Sequence, residues 1–339
     1  MKVKFARHIF SILFLSFIGA SSVLSQDLHF TQFFFAPSNY NPAHIGDFDG
    51  DYRVIGNQRR QWASVTIPYQ TFAGSFDAHD FLKVKGLGAM FNVLTDKTGD
   101  SHFTYTIINL GLSYQLQSKD SANFFTLGMQ SGLSNKQFST QDLKYDNQYN
   151  GFFYDPGISS IEAFNNLKVN YLNLNAGFKY KRIINKKSNF HLAASVYNIN
   201  QPKETFMNNA QIRLDRRFNI EVGTEHVLNA KLSILPLFLF SYQGKYSEYN
   251  MGAMLKYNLV NELFNTWKLL GGMWARAGDA GSVFAGLIRN NWTFGASYDV
   301  NLSNLQPASQ NRGGLELSLI YIWKKLPERP KFKICPDYL

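Results

Sequence analysis

Residues 291–300, NWTFGASYDV, alternate large apolar side chains with small or polar ones. Because successive side chains of a β-strand point to opposite faces, one face of this segment is apolar and the other is polar. The apolar face carries Trp292, Phe294, Ala296, Tyr298 and Val300, and the polar face carries Asn291, Thr293, Gly295, Ser297 and Asp299. A strand of this kind fits between lipid and a polar lumen, so the segment predicts a membrane-spanning β-strand.

The same alternation recurs from Asp51 to Trp323 in blocks of roughly ten residues, which is the length of a membrane-spanning strand. It predicts strands over residues 51–62, 67–79, 84–96, 102–117, 122–136, 167–182, 188–199, 213–228, 230–244, 246–259, 266–277, 281–290, 291–302 and 313–324. We therefore expect an all-β fold, a transmembrane antiparallel β-barrel of about 14 strands, with about twelve or sixteen as the nearest alternatives. An even number of strands places both chain termini on the periplasmic side and the longest connection, residues 137–166, outside.

The N-terminus indicates export. Lys2, Lys4 and Arg7 precede the apolar run 9–18, and small residues lead to Ser25. This order is typical of a secretory signal peptide over residues 1–25. No later stretch holds the roughly 18 apolar residues of a helical span. A closed barrel can nevertheless sit in a membrane because it pairs every backbone polar group, so we predict the bacterial outer membrane.

Composition and charge limit the classes of protein to which this chain can belong. The chain holds 30 Phe, 18 Tyr and 5 Trp, as aromatic girdles at both rims of a barrel require. Its formal charge of +10 is spread over turns and the C-terminal tail, so we do not expect nucleic acid as a partner. The single cysteine, Cys335, excludes an internal disulfide and a Cys-based zinc site. Its thiol is therefore free, modified or paired with another chain.

Two segments fall outside the strand pattern. Residues 26–50 contain the turn formers Pro37, Asn39, Asn41 and Pro42, which predict an irregular segment that is periplasmic or plugs the barrel. Residues 325–339 follow the barrel, residues 51–324, as a basic, proline-containing tail. We interpret this tail as a periplasmic handle for a partner.

The sequence gives little support for a catalytic or metal-binding site. Asp47, Asp49 and Asp51 resemble the start of a calcium loop, but Tyr52 and Gln58 stand where an EF-hand needs Gly and Glu. We therefore expect no metal.

A hydrolase needs a base with an orienting carboxylate, and His79 beside Asp80 or His102 near Asp100 could supply one. Polar turn residues are the simpler interpretation, and no sequence motif of a known hydrolase or nucleotide-binding site is present. We predict no enzyme activity and no cofactor.

Several polar and aromatic residues admit two readings. Arg59 and Trp62 lie where the first strand should reach the outer rim. In one interpretation, Arg59 is a charge that faces the lumen and Trp62 belongs to the aromatic girdle. In the other, both residues contact cargo. The phenylalanines at 30, 33, 34 and 35 either form an interaction stripe or fill the lumen. Arg276 with Asp279, and Asp77 with Asp299, are candidates for an internal polar network.

Several sequence blocks spread over the chain together form a pattern that is specific enough to indicate a protein family. They are QDLHFTQFFFAPSNYNPAHIG at 26–46, NQRRQW at 57–62, PYQTFAGSFDA at 68–78, GLGAMFNVLTDKTGD at 86–100, NINQPKETF at 198–206, GGMWARAGDA at 271–280, FGASYDVNLSNL at 294–305, GGLELSLIYIW at 313–323 and CP at 335–336. In these blocks the chain resembles the PorP/SprF family of type IX secretion system outer-membrane proteins of Bacteroidetes. Residues 142–163 and the ending CPDYL depart from the family pattern.

The resemblance implies a non-enzymatic role in protein secretion and gliding motility. The implied partners are periplasmic ring and lipoprotein components of the secretion machinery, a secreted adhesin or its C-terminal domain, and membrane lipid. Both a core component and an accessory dedicated to one adhesin fit the resemblance. We predict that partners are contacted through Phe30, Gln32, Phe33, Tyr40, Asn41, Pro42, Arg59, Trp62, Lys331, Lys333, Cys335 and Pro336.

A different class of function fits the same strand pattern. An outer-membrane diffusion porin or a channel for hydrophobic compounds also alternates lipid-facing and lumen-facing residues along each strand. A docking barrel and a channel therefore differ in whether the lumen conducts.

Overall fold

The computed structural model describes residues 30–61, 67–99, 101–140, 143–155, 157–158, 164, 166–206, 211–262, 265–302 and 312–324. Within these ranges, fourteen strands form the protein. They are β1 Tyr52–Gln61, β2 Tyr69–Ala78, β3 Leu87–Thr98, β4 Phe103–Gln117, β5 Asn123–Gln137, β6 Lys168–Asn185, β7 Ser188–Tyr197, β8 Arg217–Val227, β9 Leu232–Gln243, β10 Tyr246–Asn261, β11 Thr266–Arg276, β12 Ala280–Arg289, β13 Trp292–Asn301 and β14 Arg312–Trp323.

The strands form one closed antiparallel barrel. Each strand pairs with its neighbours in sequence, and β14 closes the cylinder by pairing with β1, with Tyr52 opposite Trp323. Among the fourteen described strands, closure leaves no unpaired sheet edge, as a chain in lipid requires. The predicted fourteen-stranded barrel is confirmed.

The two ends of the barrel differ. At the end that holds Tyr52 and Trp323, here called the turn end, the connections are short, as at residues 118–122 and 186–187. At the opposite end, here called the loop end, lie the longest connections, residues 138–167 and 198–216.

The outer and inner faces of the wall have opposite polarity. Outward side chains are apolar and exposed, as for Leu127, Met129 and Leu133 on β5, which are 63%, 71% and 65% exposed. Inward side chains such as Asn92 and Asn109 are polar, buried and hydrogen-bonded to each other at 3.0 Å. No helix among the described residues is long and apolar enough to cross a membrane.

Residues 30–50 run through the lumen, and we call this segment the plug. It contains three short 3-10 helices, Phe33–Phe35, Pro37–Asn39 and Pro42–His44, the last two of which begin with proline. The fixed φ of proline suits the first position of a helical turn. The plug enters at the turn end, where Asp51 N donates to Trp323 O at 2.8 Å. The predicted signal peptide, residues 1–25, and the predicted tail, residues 325–339, lie outside the described residues.

Candidate functional site: the plugged lumen

Small residues form a shallow trough in the wall opposite plug residues 40–46. They occupy one register row across six neighbouring strands and are Gly88, Ser113, Gly128, Gly177, Ser195 and Asn219. A Cβ atom on Gly128 would lie 2.3 Å from the carbonyl group of Pro42, and one on Gly177 would lie 1.9 Å from Asn41 Oδ1. The backbone of the plug therefore approaches the wall at distances that only glycine permits.

Polar side chains of the same row satisfy the plug's backbone. Ser195 Oγ and Asn219 Nδ2 donate to Tyr40 O at 2.5 and 2.8 Å. Ser113 Oγ donates to Ile45 O at 2.6 Å. In return, Asn41 Nδ2 donates to wall carbonyls at 3.1 and 3.2 Å. Because an irregular segment has no strand partner, these bonds replace the ladder that its backbone lacks.

Two buried carboxylates hold the plug near the loop end. Glu316 accepts hydrogen bonds from the backbone N–H groups of Thr31 and Gln32 at 2.7 and 3.0 Å. Asp299 accepts from Thr31 Oγ1 at 2.7 Å and from Arg59 at 2.9 Å. Arg59 is only 1% exposed, so these charges compensate one another inside the lumen.

The polar network that we predicted includes further arginine–aspartate pairs. Arg276 lies 2.6 Å from Asp279 and 3.1 Å from Asp299. Near the turn end, Arg53 makes a bidentate contact with Asp77 at 2.6 and 2.9 Å, while Asp77 also accepts from Gly46 N at 2.9 Å. The four predicted members thus belong to two ion-pair groups, one at each end of the plug.

A cluster of titratable groups holds the turn-end half of the plug on both sides of Gly46. His44 Nε2 lies 3.1 Å from a carboxylate oxygen of Glu221, and His191 Nε2 lies 2.8 Å from the same oxygen. Lys179 forms an ion pair with Asp47, and its Nζ lies 3.1 Å from His44 Nδ1. The cluster joins plug residues to three strands of the wall.

Charge pairing shifts the pKa values of the two plug residues in this cluster. Burial disfavours ionised Asp47, but the ammonium group of Lys179 and a hydrogen bond from His44 outweigh it and hold the Asp47 pKa well below its usual range. Burial and Lys179 disfavour protonated His44, but Glu221 and Asp47 outweigh them and raise the His44 pKa.

Aromatic rings fill the remaining cross-section. Phe34 stacks on Trp274 of β11 with ring centroids 4.5 Å apart, and Phe35 packs edge-on against Phe284 of β12 at 5.5 Å. Phe30 packs in a second buried group with Ala73 and Leu94 on the opposite part of the wall. The apolar rings occupy space that an aqueous pore would need.

A small cavity remains near the turn end. It has a volume of about 10 Å³ and is lined by residues that include Asp47, His79 and Gln115. This space holds about one water molecule, which is too little for an organic substrate.

The residues predicted to bind partners have separate locations. Phe30, Gln32, Phe33, Tyr40, Asn41, Pro42 and Arg59 are buried in the lumen, where each contacts the wall or another plug residue. Trp62, Lys331, Lys333, Cys335 and Pro336 lie outside the described residues. Of the two interpretations of the phenylalanines at 30, 33, 34 and 35, their contacts agree with the one in which the rings fill the lumen.

One of the two candidate hydrolase pairs is fully described by the structure. His79 lies 3.3 Å from Asp80 at the exposed turn end, and its Nδ1 lies 2.8 Å from Gly46 O. Asp100 is outside the described residues. Among the residues that the structure describes, no group of three or more His, Cys, Asp or Glu side chains could hold a metal ion.

Sequence reasoning missed two parts of the plug site. The trough could have been found from glycine on the inward face of three strands, Gly88, Gly128 and Gly177, at positions where long polar residues would also fit a lumen. No signal in the sequence paired His44 with Glu221 and His191, because these residues are far apart along the chain.

A comparison with protein families decides what this plugged barrel is. The family model described as type IX secretion system membrane protein PorP/SprF matches residues 22–321. The chain belongs to the PorP/SprF family. The resemblance inferred from the sequence blocks is therefore confirmed, and this PorP/SprF protein is an outer-membrane component of type IX secretion.

Solved structures share its barrel. The toluene transporter TodX of Pseudomonas putida is 8% identical, with 87% of this chain and 94% of that chain covered and a TM-score of 0.50. The CymD monoaromatic hydrocarbon channel is 9% identical over 84% and 92% of the two chains, with a TM-score of 0.47. The NanC porin is 10% identical over 81% and 100%, with a TM-score of 0.41. The likeness to TodX shows the fold alone.

A comparison with curated protein sequences finds no significant match.

Proposed function

We propose that this PorP/SprF protein is a non-enzymatic docking barrel, which supports secretion and surface attachment of cargo without conducting the cargo through its lumen. The single observation that carries the proposal is the filled lumen. The plug reaches from Gly50, which precedes Asp51 at the turn end, to Phe30 near the loop end, and it contacts strands around the circumference.

Apolar packing and hydrogen bonds to buried carboxylates hold the plug in the lumen. Removing it would expose two apolar clusters and leave the buried carboxylates of Glu316 and Asp299 without their Thr31 and Gln32 partners. Each lost partner of a buried charged group costs about 1.5–3 kcal/mol. These contacts support a closed resting state.

The asymmetry of the ends supports an assignment of sides. Long connections face the cell exterior and short turns face the periplasm in bacterial barrels, so we assign the loop end to the surface and the turn end to the periplasm. The surface end then holds the contact for the secreted adhesin or its C-terminal domain. The turn end, with the predicted tail, holds the contact for periplasmic ring and lipoprotein components.

The loop end offers a fixed surface for cargo. Phe138 packs against Phe164 and Phe206 at 5.0 and 4.9 Å, so the two long connections support each other. Beyond this cluster, Asn150 Oδ1 accepts from the backbone N–H groups of Phe152 and Phe153, both at 3.0 Å. The bonds form a tight tip that presents Phe152 with 90% of its surface exposed.

Deletion of residues 326–339 tests the handle. We expect an inserted barrel, recognised by its heat-dependent electrophoretic mobility, together with loss of cargo on the cell surface and of periplasmic partners in a pull-down. A matched deletion of residues 147–153, in the loop-end tip, should keep the periplasmic partners and lose cargo. Normal cargo display without the tail would refute the handle.

Planar bilayer recordings test whether the lumen is closed. We expect little conductance from the intact chain and open-pore conductance after deletion of residues 30–46, which removes most of the plug. Steady conductance or liposome swelling with the intact chain would instead support the channel alternative. Secretion measured in the same strains separates the two functions.

A further inference from the structure

Basic residues lie directly beside the lipid-facing surface at one corner of the turn end. On the outward face of β6, Phe178 and Tyr180 are followed by Arg182, which is opposite Asn123 and Phe190 on the neighbouring strands. The Tyr180 hydroxyl donates to Asn123 Oδ1 at 2.8 Å. A tyrosine with its ring among apolar residues and its hydroxyl toward the barrel end marks the membrane interface. Arg182 therefore lies at the depth of lipid headgroups.

Two further cations extend this surface. Lys186 and Lys187 form the exposed two-residue turn between β6 and β7. Asn185 Oδ1 accepts from Lys187 N at 2.8 Å, and Lys187 O accepts from Val227 N at 2.7 Å. The turn is thus fixed both within itself and against β8, so its cations are presented from a rigid support.

The adjacent β4–β5 turn adds one cation and one carboxylate. Lys119 is exposed there, and Asp120 accepts from Ala122 N at 3.1 Å and from Ser118 within its own turn. Residues 118–122 and 182–188 together hold four basic residues and one acidic residue. The corner formed by Lys119, Arg182, Lys186 and Lys187 is therefore net positive, and we call it the basic corner.

We propose that the basic corner binds the phosphate of an anionic glycerophospholipid in the leaflet at the turn end. Two observations select this ligand. The corner continues the lipid-facing surface of β6 without a break, and its charge is complementary to a phosphodiester. Phe178, 38% exposed on the same outward face and nearer the middle of the barrel than Arg182, offers apolar contact for the glycerol and upper acyl region.

The position of Arg182 argues against an acidic protein as the occupant. Its side chain leaves the outward face of the wall, next to Tyr180 and Phe190, rather than the rim that surrounds the lumen. A soluble partner would have to displace headgroups to reach it, whereas a lipid reaches it from within its own leaflet. Basic residues at a membrane surface each strengthen binding of anionic lipid roughly 5-fold.

Native mass spectrometry of the detergent-solubilised full chain tests the site. The chain is titrated with phosphatidylglycerol, with phosphatidylcholine and with inorganic phosphate, and bound molecules are counted. We expect preferential binding of phosphatidylglycerol. Substituting Arg182→Ala, Lys186→Ala and Lys187→Ala together should weaken that binding about 100-fold. Equal binding of the two lipids by the unchanged protein overturns the proposal, as does retention of free phosphate without lipid.

Two matched variants locate the effect. The charge-retaining set Arg182→Lys, Lys186→Arg and Lys187→Arg should bind phosphatidylglycerol like the unchanged protein. Removing the same charge at the loop end, with Lys144→Ala, Lys203→Ala and Lys245→Ala, should also leave binding unchanged.

Heat-dependent electrophoretic mobility shows that each variant is folded. If the triple alanine variant does not fold, Arg182→Gln alone should lower binding about 5-fold. A folded triple alanine variant that binds phosphatidylglycerol undiminished means that the lipid assignment is wrong. If that variant loses a periplasmic protein from a pull-down instead, the corner is a protein contact.

Discussion

His44 in the plug and Glu221 in β8 lie 3.1 Å apart, and this contact ties the turn-end half of the plug to the barrel wall. His191 of β7 lies 2.8 Å from the same carboxylate oxygen, so Glu221 serves two imidazoles at once. The turn-end half of the plug is consequently held by charge as well as by hydrogen bonds along the small-residue trough.

The raised pKa of His44 predicts how its contribution changes with pH. A group whose pKa is higher in the folded state than in the unfolded state stabilises the fold fully below the unfolded pKa, near pH 6.5, and loses this effect as pH rises through the folded value. We expect His44→Gln to remove this decline of stability above about pH 6.5. Urea unfolding in vesicles across this range measures it. A decline of equal size in the variant would contradict the assignment.

The lowered pKa of Asp47 has the opposite sign. Its ion pair with Lys179 stabilises the fold above the usual carboxyl pKa and loses that effect as pH falls through the depressed folded value. We expect Asp47→Asn to lower the free energy of unfolding at pH 7 by about 3 kcal/mol, since it leaves the Lys179 charge without its carboxylate. Urea unfolding at pH 7 and at about pH 3 should show this deficit shrinking with acidification. Asp49→Asn, at an exposed ion pair with Lys324, is the control and should cost at most about 1 kcal/mol.

The trough predicts a glycine whose replacement unseats the plug. Gly128→Val places a side chain where Pro42 lies 2.3 Å from the position of a Cβ, and we expect a loss of about 1–3 kcal/mol in stability together with measurable conductance. Gly56→Val is the matched control, because Gly56 lies in a strand with no atom within 4 Å of its Cβ position. Unfolding and bilayer recordings measure both effects. Equal behaviour of the two variants would show that the trough does not hold the plug.

Substitutions at the exposed tip of the 138–167 connection should reduce cargo display without lowering the stability of the barrel. Phe152→Ser with Phe153→Ser should change the free energy of unfolding by less than about 0.5 kcal/mol, because both rings face solvent. Cargo retained on the cell surface, measured by flow cytometry, should fall at least about 10-fold if each ring supplies a contact worth roughly 1 kcal/mol. Phe138→Ala is the contrasting variant, since this ring supports the connection and its loss should destabilise it. Unchanged cargo display in the double serine variant would move the contact elsewhere.

Local alternation was sufficient to predict the wall. The predicted strand over 102–117 corresponds to β4, Phe103–Gln117, and the predicted strand over 291–302 corresponds to β13, Trp292–Asn301. The polarity of each residue in such a strand indicates whether it faces lipid or lumen, because side chains alternate between these two faces along every strand. The predicted strand over 213–228 began early, since residues 211–216 form hydrogen bonds with the preceding connection, as between Leu214 and Pro202, before β8 begins at Arg217.

The amino-acid sequence by itself determined that this chain forms an outer-membrane barrel of about 14 strands that resembles the PorP/SprF family, because strand periodicity and family blocks are local properties of the chain. Only the tertiary structure decided that residues 30–50 occupy the lumen and that Glu221, Glu316 and Gly128 receive them. Those contacts join residues more than 80 positions apart, and their geometry exists only once the barrel has closed.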